Sequence, residues 1–190
     1  MSERLLAALL TASAGVLAQQ APVEGLAASP VRVLIYEDLQ CPDCAAFGKM
    51  LDEKLLPRYG ARVAFEHRDF PLAKHAWARE AAIAARFFDQ RSAALGLRYR
   101  RETMAGQREI TADNFREKLS AFAERNGVKP ADAVAALADG HLADLVEKDF
   151  QDGVARGISH TPTVLVNGKP FVETIGLEEI SKAIEEALNQ

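Results

Sequence analysis

The chain has 190 residues, 48% hydrophobic and 26% charged, the balance of an ordinary globular protein long enough to bury one substantial core. A formal net charge of -4 and a pI near 5.6 give no basic surface for nucleic acid. Gly-rich phosphate loops, low-complexity tracts and internal repeats are absent.

The uncharged run from Leu5 to Ala18 is too short to cross a bilayer. Its small residues near Val16 and Ala18 predict cleavage after Ala18, with Ala12-Ser13-Ala14 as a second candidate. Residues 1–18 therefore read as a secretory signal peptide, which places the mature protein in the periplasm or outside the cell. Glu3 departs from the usual positive leader, so an ordered first helix and a cytoplasmic location stand as the alternative. Residues 19–30 read as a linker closed by Pro30.

Val31 to Tyr36 is nearly all apolar, as in a strand covered on both faces. After Glu37, Asp38, Leu39 and Gln40, a helix is predicted from Cys41 to about Tyr59, with Pro42 in its first turn and Gly60 at its end. Arg62 to His67 alternates apolar and polar residues and reads as a second strand left through Asp69-Phe70-Pro71. Strand, helix, strand with short connections gives a parallel crossover, so residues 31–72 form one half of the fold.

From residue 73 to 158 the pattern is wholly helical, about four helices, and is read as an insertion. Trp77, Ala81, Ala84 and Phe88 fall at helical spacing, which marks Trp77 as a core residue. Thr111 is placed to cap the next helix, and Pro130 opens a later one. The stretch from Gln90 to Leu95, with Arg98, Arg100, Arg101 and Arg108 beyond it, reads as a solvated helix face, a basic partner-binding patch being the alternative.

Residues 159–190 form the other half. Asn167-Gly168 between Thr163–Val166 and Lys169–Val172 predicts a hairpin, because both central residues must take positive φ, and Pro170 puts the second strand at an edge. A last helix carries Leu177, Ile180, Ile184 and Leu188 as one apolar stripe. The fold class is α/β: β-α-β, then an all-helical insertion, then β-β-α.

Chemistry concentrates in Cys41-Pro42-Asp43-Cys44, which holds the only two cysteines. Thiols three residues apart at a helix start can close into a disulfide, and unpaired N–H groups with the positive end of the macrodipole favour a thiolate on the first. A thiolate attacks disulfides and leaves from them, so the pattern reads as a redox couple. The competing readings are half a zinc site or two inert buried residues. Zinc needs four ligands, yet there is no second cysteine pair, and no two of His67, His75, His141 and His160 stand at ligand spacing near the first.

Three blocks then carry a resemblance: Tyr36-Glu37-Asp38-Leu39-Gln40-Cys41-Pro42-Asp43-Cys44; Arg68-Asp69-Phe70-Pro71-Leu72 with His75 after it; and His160-Thr161-Pro162-Thr163-Val164-Leu165-Val166-Asn167-Gly168. Together they resemble the thioredoxin fold in its DsbA-like branch of thiol-disulfide oxidoreductases. The resemblance implies that Cys41 is an exposed attacking sulfur forming a mixed disulfide with protein thiols and that Cys44 is a buried resolving sulfur. It implies a cis bond before Pro162, with Thr161 and Pro162 presenting the substrate backbone and Thr161 influencing redox behaviour, and His160 near the site. The implied partners are cysteine-containing folding proteins and a membrane redox partner, without metal or cofactor. A reductase or isomerase of the same fold and a peptide-binding module without turnover remain as alternatives.

Asp43 departs from the family, which often has an aromatic residue or His there. A carboxylate beside Cys41 is expected to oppose its ionisation and make the couple less oxidising. Glu37 and Asp38 are expected either to push the same way, one of them accepting the Cys44 proton, or to be solvated loop charges.

Overall fold

The computed structural model describes residues 22–190; the leader assigned to 1–18 lies outside the described residues. Its sheet has five strands in the order β1-β3-β2-β4-β5: β1 Val23–Gly25, β2 Arg32–Glu37, β3 Ala64–Asp69, β4 Thr163–Val166 and β5 Lys169–Val172. The β2 and β3 strands pair in parallel, and the other pairs are antiparallel. The element order is the predicted β-α-β, helical insertion, β-β-α.

Two corrections concern the strands. The segment read as a linker carries β1, whose three residues gain extended structure only by pairing with β3, Val23 opposite Glu66 and Gly25 opposite Ala64. The second strand is displaced to Ala64–Asp69 and is almost entirely buried, not alternating. Its charged residues Glu66, His67 and Asp69 are buried because arginines and carboxylates from other elements, Arg32, Glu37 and Arg100, meet them there.

The first helix is α1, Pro42–Met50, continued by a π-helical segment Leu51–Leu55 and by α2, Leu56–Tyr59. Pro57 explains the change of pitch: without an N–H it cannot continue the ladder, and Leu56 N–H bonds instead to Leu51 O, five residues back. The insertion has five α-helices among the described residues: α3 Ala78–Asp89, α4 Ala93–Gly106, α5 Phe115–Arg125, α6 Pro130–Ala135 and α7 Gly140–Ala155. The extra one arises because Gln90–Ser92 is a break. Ser92 caps α4 by accepting from Leu95 N–H, a stop that no Gly or Pro announces. Thr111 and Asn114 exchange side-chain to backbone hydrogen bonds just ahead of α5, so the predicted capping residue acts one turn early. The chain ends in α8, Leu177–Leu188, whose Ile180 and Ile184 are buried while Leu177 stays in solvent.

Two cores result. One lies between the sheet and α1, α2 and α8, around Val33, Ile35, Phe65, Val164 and Ile184. The other fills the insertion with Trp77, Phe88, Phe115 and Phe122, Trp77 stacking on Phe115, and it extends to Leu39, Cys41 and Cys44. The insertion thus forms part of the dithiol's own surroundings. Among the described residues no helix is long and apolar enough to cross a membrane.

Candidate active site

The β2 strand ends in the sheet interior and hands the chain to α1 through residues 38–41, so both cysteines stand where strand becomes helix. Cys41 is the residue preceding α1, in extended conformation, and Pro42 occupies the first helical position. No side chain caps this end, which leaves its N–H groups directed at the first sulfur. Across from it lies the loop entering β4. The Thr161–Pro162 bond is cis, and Thr161 O accepts from the Cys41 thiol at 3.3 Å.

The two sulfurs differ in how readily they ionise. Cys41 is lowered to about 6, first because the Cys44 thiol donates to it, then because backbone N–H groups of Cys44 and Asp43 and the Thr161 side chain favour the anion; partial burial opposes them. The Thr161 hydroxyl is buried and has no partner of conventional hydrogen-bond geometry in the thiol form, so it is available to the anion. Cys44 is pushed well above the ordinary thiol range, chiefly by burial and then by the neighbouring Cys41 sulfur, against a backbone contact from Asp38 N–H at 3.4 Å.

Three expectations about this site change. Cys41 is not openly exposed: only 5% of its surface is accessible, at the edge of a cavity of about 390 Å³ shared with Pro42, His75, His160, Thr161 and Glu173. The Asp43 carboxylate is in solvent, and what this residue contributes to the sulfur is its backbone N–H, so the predicted opposition to ionisation is not what acts there. Glu37 and Asp38 are buried, 4% and 1% accessible, not solvated. Water is replaced for them by fixed donors. Asp38 accepts from Gln40 N–H and Leu72 N–H, both at 2.7 Å, and from His75 Nδ1 at 2.8 Å. Glu37 meets His67 Nδ1 at 3.0 Å and Arg100 at 3.3 Å, and its charge adds to the forces raising Cys44. His160 is exposed at the cavity mouth, its Nδ1 2.8 Å from Ser159 Oγ.

Sequence reasoning missed the surroundings. Arg100, taken for a surface cation, is 1% accessible and bonds Asp69 at 2.7 Å; Arg86 bridges Asp69 and Asp149. Arg101 pairs with Asp52 and Glu24, whereas Arg98 and Arg108 remain exposed as expected. Gln107 donates to Cys41 O at 3.3 Å, a contact from the far end of α4 that no local pattern announces.

A dithiol at the head of the first helix, facing a cis-proline loop on this sheet with a helical insertion, defines a thioredoxin-like fold of the DsbA type. A family model described as Thioredoxin matches residues 18–186, and the chain belongs to that family. Among solved structures it is similar to oxidised BdbD from Bacillus subtilis, 24% identical, covering 90% of this chain and 94% of that one with a TM-score of 0.80. It is also similar to α-DsbA1 from Wolbachia pipientis, 16% identical over 89% and 91% with a TM-score of 0.76. A thioredoxin-like oxidoreductase from Silicibacter pomeroyi DSS-3 is 17% identical over 90% and 93%, with a TM-score of 0.74. In sequence, 95% of the chain aligns at 29% identity with part of the Na(+)/H(+) antiporter NhaA 3 of Salinispora tropica, and it spans 28% of that relative's length.

Proposed function

We propose that this protein is a thiol-disulfide oxidoreductase that exchanges a Cys41–Cys44 disulfide with cysteine-containing proteins. Cys41 forms the mixed disulfide and Cys44 resolves it. Thr161 and Pro162 hold the extended substrate backbone beside the sulfur, and the protein works after export, its couple restored by a redox partner at the membrane. The observation that carries the reading is the division of the pair: Cys41 lowered to about 6 while Cys44 is raised far above it. Such a pair supplies one ready nucleophile and leaving group together with one sulfur that keeps its proton until a mixed disulfide needs breaking.

The test is capture of the intermediate. Cys44→Ser incubated with a disulfide-scrambled protein is expected to accumulate a mixed disulfide on Cys41, visible on a non-reducing gel, and Cys41→Ser to form none. Absence of the adduct in Cys44→Ser, together with no turnover by the unsubstituted protein, would refute the reading. Its direction follows from the thiolate: a Cys41 midpoint near 6 stabilises the reduced form more than an ordinary thiol would. Equilibration with glutathione buffers is therefore expected to give a potential between about -270 and -120 mV, the span from thioredoxin to DsbA. A value below that span would reassign the protein as a reductase.

A further inference from the structure

The cavity beside Cys41 is lined by His75, which the dithiol reading does not use and which a buried carboxylate holds in place. Asp38, buried in the turn after β2, accepts from His75 Nδ1 at 2.8 Å, and both its oxygens are otherwise held by backbone N–H groups. This fixes the ring: with Nδ1 donating inward, the lone pair of the neutral imidazole lies on Nε2. The His75 side chain is 17% accessible while that of Asp38 is fully enclosed, and His75 lines the cavity that also exposes Cys41 and Thr161. A nucleophilic sulfur and an imidazole thus border one space, and the carboxylate that orients the ring is buried behind it.

We infer that His75, positioned by Asp38, is the general base that takes the proton from an incoming substrate thiol. The inference rests on the exchange activity proposed above. In the step, the substrate S–H proton passes to His75 Nε2 and the substrate sulfur forms a bond to Cys41 Sγ. The Cys41–Cys44 bond breaks with its electron pair on Cys44, which takes up a proton from solvent as His75 releases one. The protein disulfide is reduced and the substrate sulfur oxidised, with no net proton change. A free thiol near its ordinary pKa of about 8.5 is mostly protonated at neutral pH, so a base at the point of entry increases the reactive fraction. The other charged or titratable groups facing His75 are Cys41 and Asp43 from the start of α1, Lys74 from its own loop, and His160 and Glu173 from either side of the hairpin.

The test compares His75→Asn and His75→Gln with the unsubstituted protein. Asn keeps a donor for Asp38 at the place of Nδ1, Gln puts an amide at the place of Nε2, and neither offers a base. The rate at which a reduced cysteine peptide reduces each oxidised protein is measured from pH 5.5 to 8, with the alkylation midpoint of Cys41 and the redox potential recorded for each. Both variants are expected to react about 10²-fold more slowly at pH 7 and to lose about tenfold per pH unit on acidification, following the peptide thiolate. The unsubstituted protein falls less steeply, and neither the Cys41 midpoint nor the potential moves. Variants within twofold of the unsubstituted protein and with the same slope would overturn the role of His75, as would a loss matched by a shift in the Cys41 midpoint. An unsubstituted protein that does not react at all would refute the exchange activity itself.

Discussion

At the scale of single residues, the geometry at Cys41 makes reactivity a function of pH. With its pKa lowered to about 6, Cys41 is mostly anionic at neutral pH, and its alkylation rate is expected to fall about tenfold per pH unit well below 6. An ordinary thiol would show that fall below 9 instead. Thr161 is separable from the rest. Its hydroxyl is buried without a conventional partner and favours the anion, so Thr161→Val is expected to raise the alkylation midpoint of Cys41 while stability in urea changes by no more than about 1 kcal/mol. An unmoved midpoint would show that the backbone N–H groups and the Cys44 thiol hold the anion unaided. Asp43 teaches a narrower lesson: at a helix start the carboxylate next to the cysteine stands in solvent, and this residue favours the thiolate through its backbone N–H.

At the scale of elements, helices close packing around the β2–α1 junction. Gly153 in α7 leaves no room for a methyl group, since a Cβ there would lie 2.6 Å from the Phe70 ring and 3.1 Å from Tyr36. Gly153→Ala is expected to lower the urea unfolding free energy by about 1–3 kcal/mol despite the better helix propensity of Ala, and an unchanged or higher midpoint would contradict this close approach. The hairpin is the opposite case, because its signal was local. Asn167 and Gly168 take φ of 45° and 90°, as the predicted turn requires, and Asn167 pins the turn to β2 through Arg32 N–H. What was legible in the sequence was of this kind: the turn, the helix spanning Cys41 to Tyr59, Pro130 opening α6 and the apolar face containing Trp77. What was not legible depended on partners far along the chain, such as β1, which exists by pairing, and the α3–α4 break, where Ser92 alone marks the cap. The resemblance carried by the blocks around Cys41, His75 and Pro162 already implied that the Pro162 loop meets the cysteines, whereas the place of His75 in the same cavity is a property of the tertiary fold.

At the scale of the whole molecule, a buried charge network joins the insertion to the sheet. Arg100 and Arg86 come from the insertion, Glu37 and Asp69 from the sheet, and Asp149 and Arg68 extend the chain of pairs. Burial disfavours the Asp69 carboxylate, but Arg100 and Arg86 outweigh it and hold the group at about 2. Removing one member strands the others in the interior, so Arg100→Met is expected to cost about 3–5 kcal/mol in urea unfolding. A loss under 1 kcal/mol (roughly) would mean that water reaches these groups. His67 sits between Glu24 and Glu37; burial opposes its charge, yet the two carboxylates raise it to about 9. Its contribution is complete below the ordinary value of 6.5 and lost as pH rises toward 9. Cys41 runs the other way, its depressed pKa adding stability as pH rises from about 6 to the ordinary 9. The alkaline loss is therefore expected in Cys41→Ser, read as a falling urea midpoint between pH 6.5 and 9, and to be reduced when His67→Gln is added. An identical fall in both variants would remove His67 from the explanation.

The inequality of the two sulfurs is read directly by the ultraviolet absorbance of thiolate at about 240 nm. Titration of the reduced protein is expected to show a single thiolate forming with a midpoint near 6, lost in Cys41→Ser, and a second only well above 9. Two thiolates appearing together near 9, or a midpoint near 6 that survives Cys41→Ser, would contradict it.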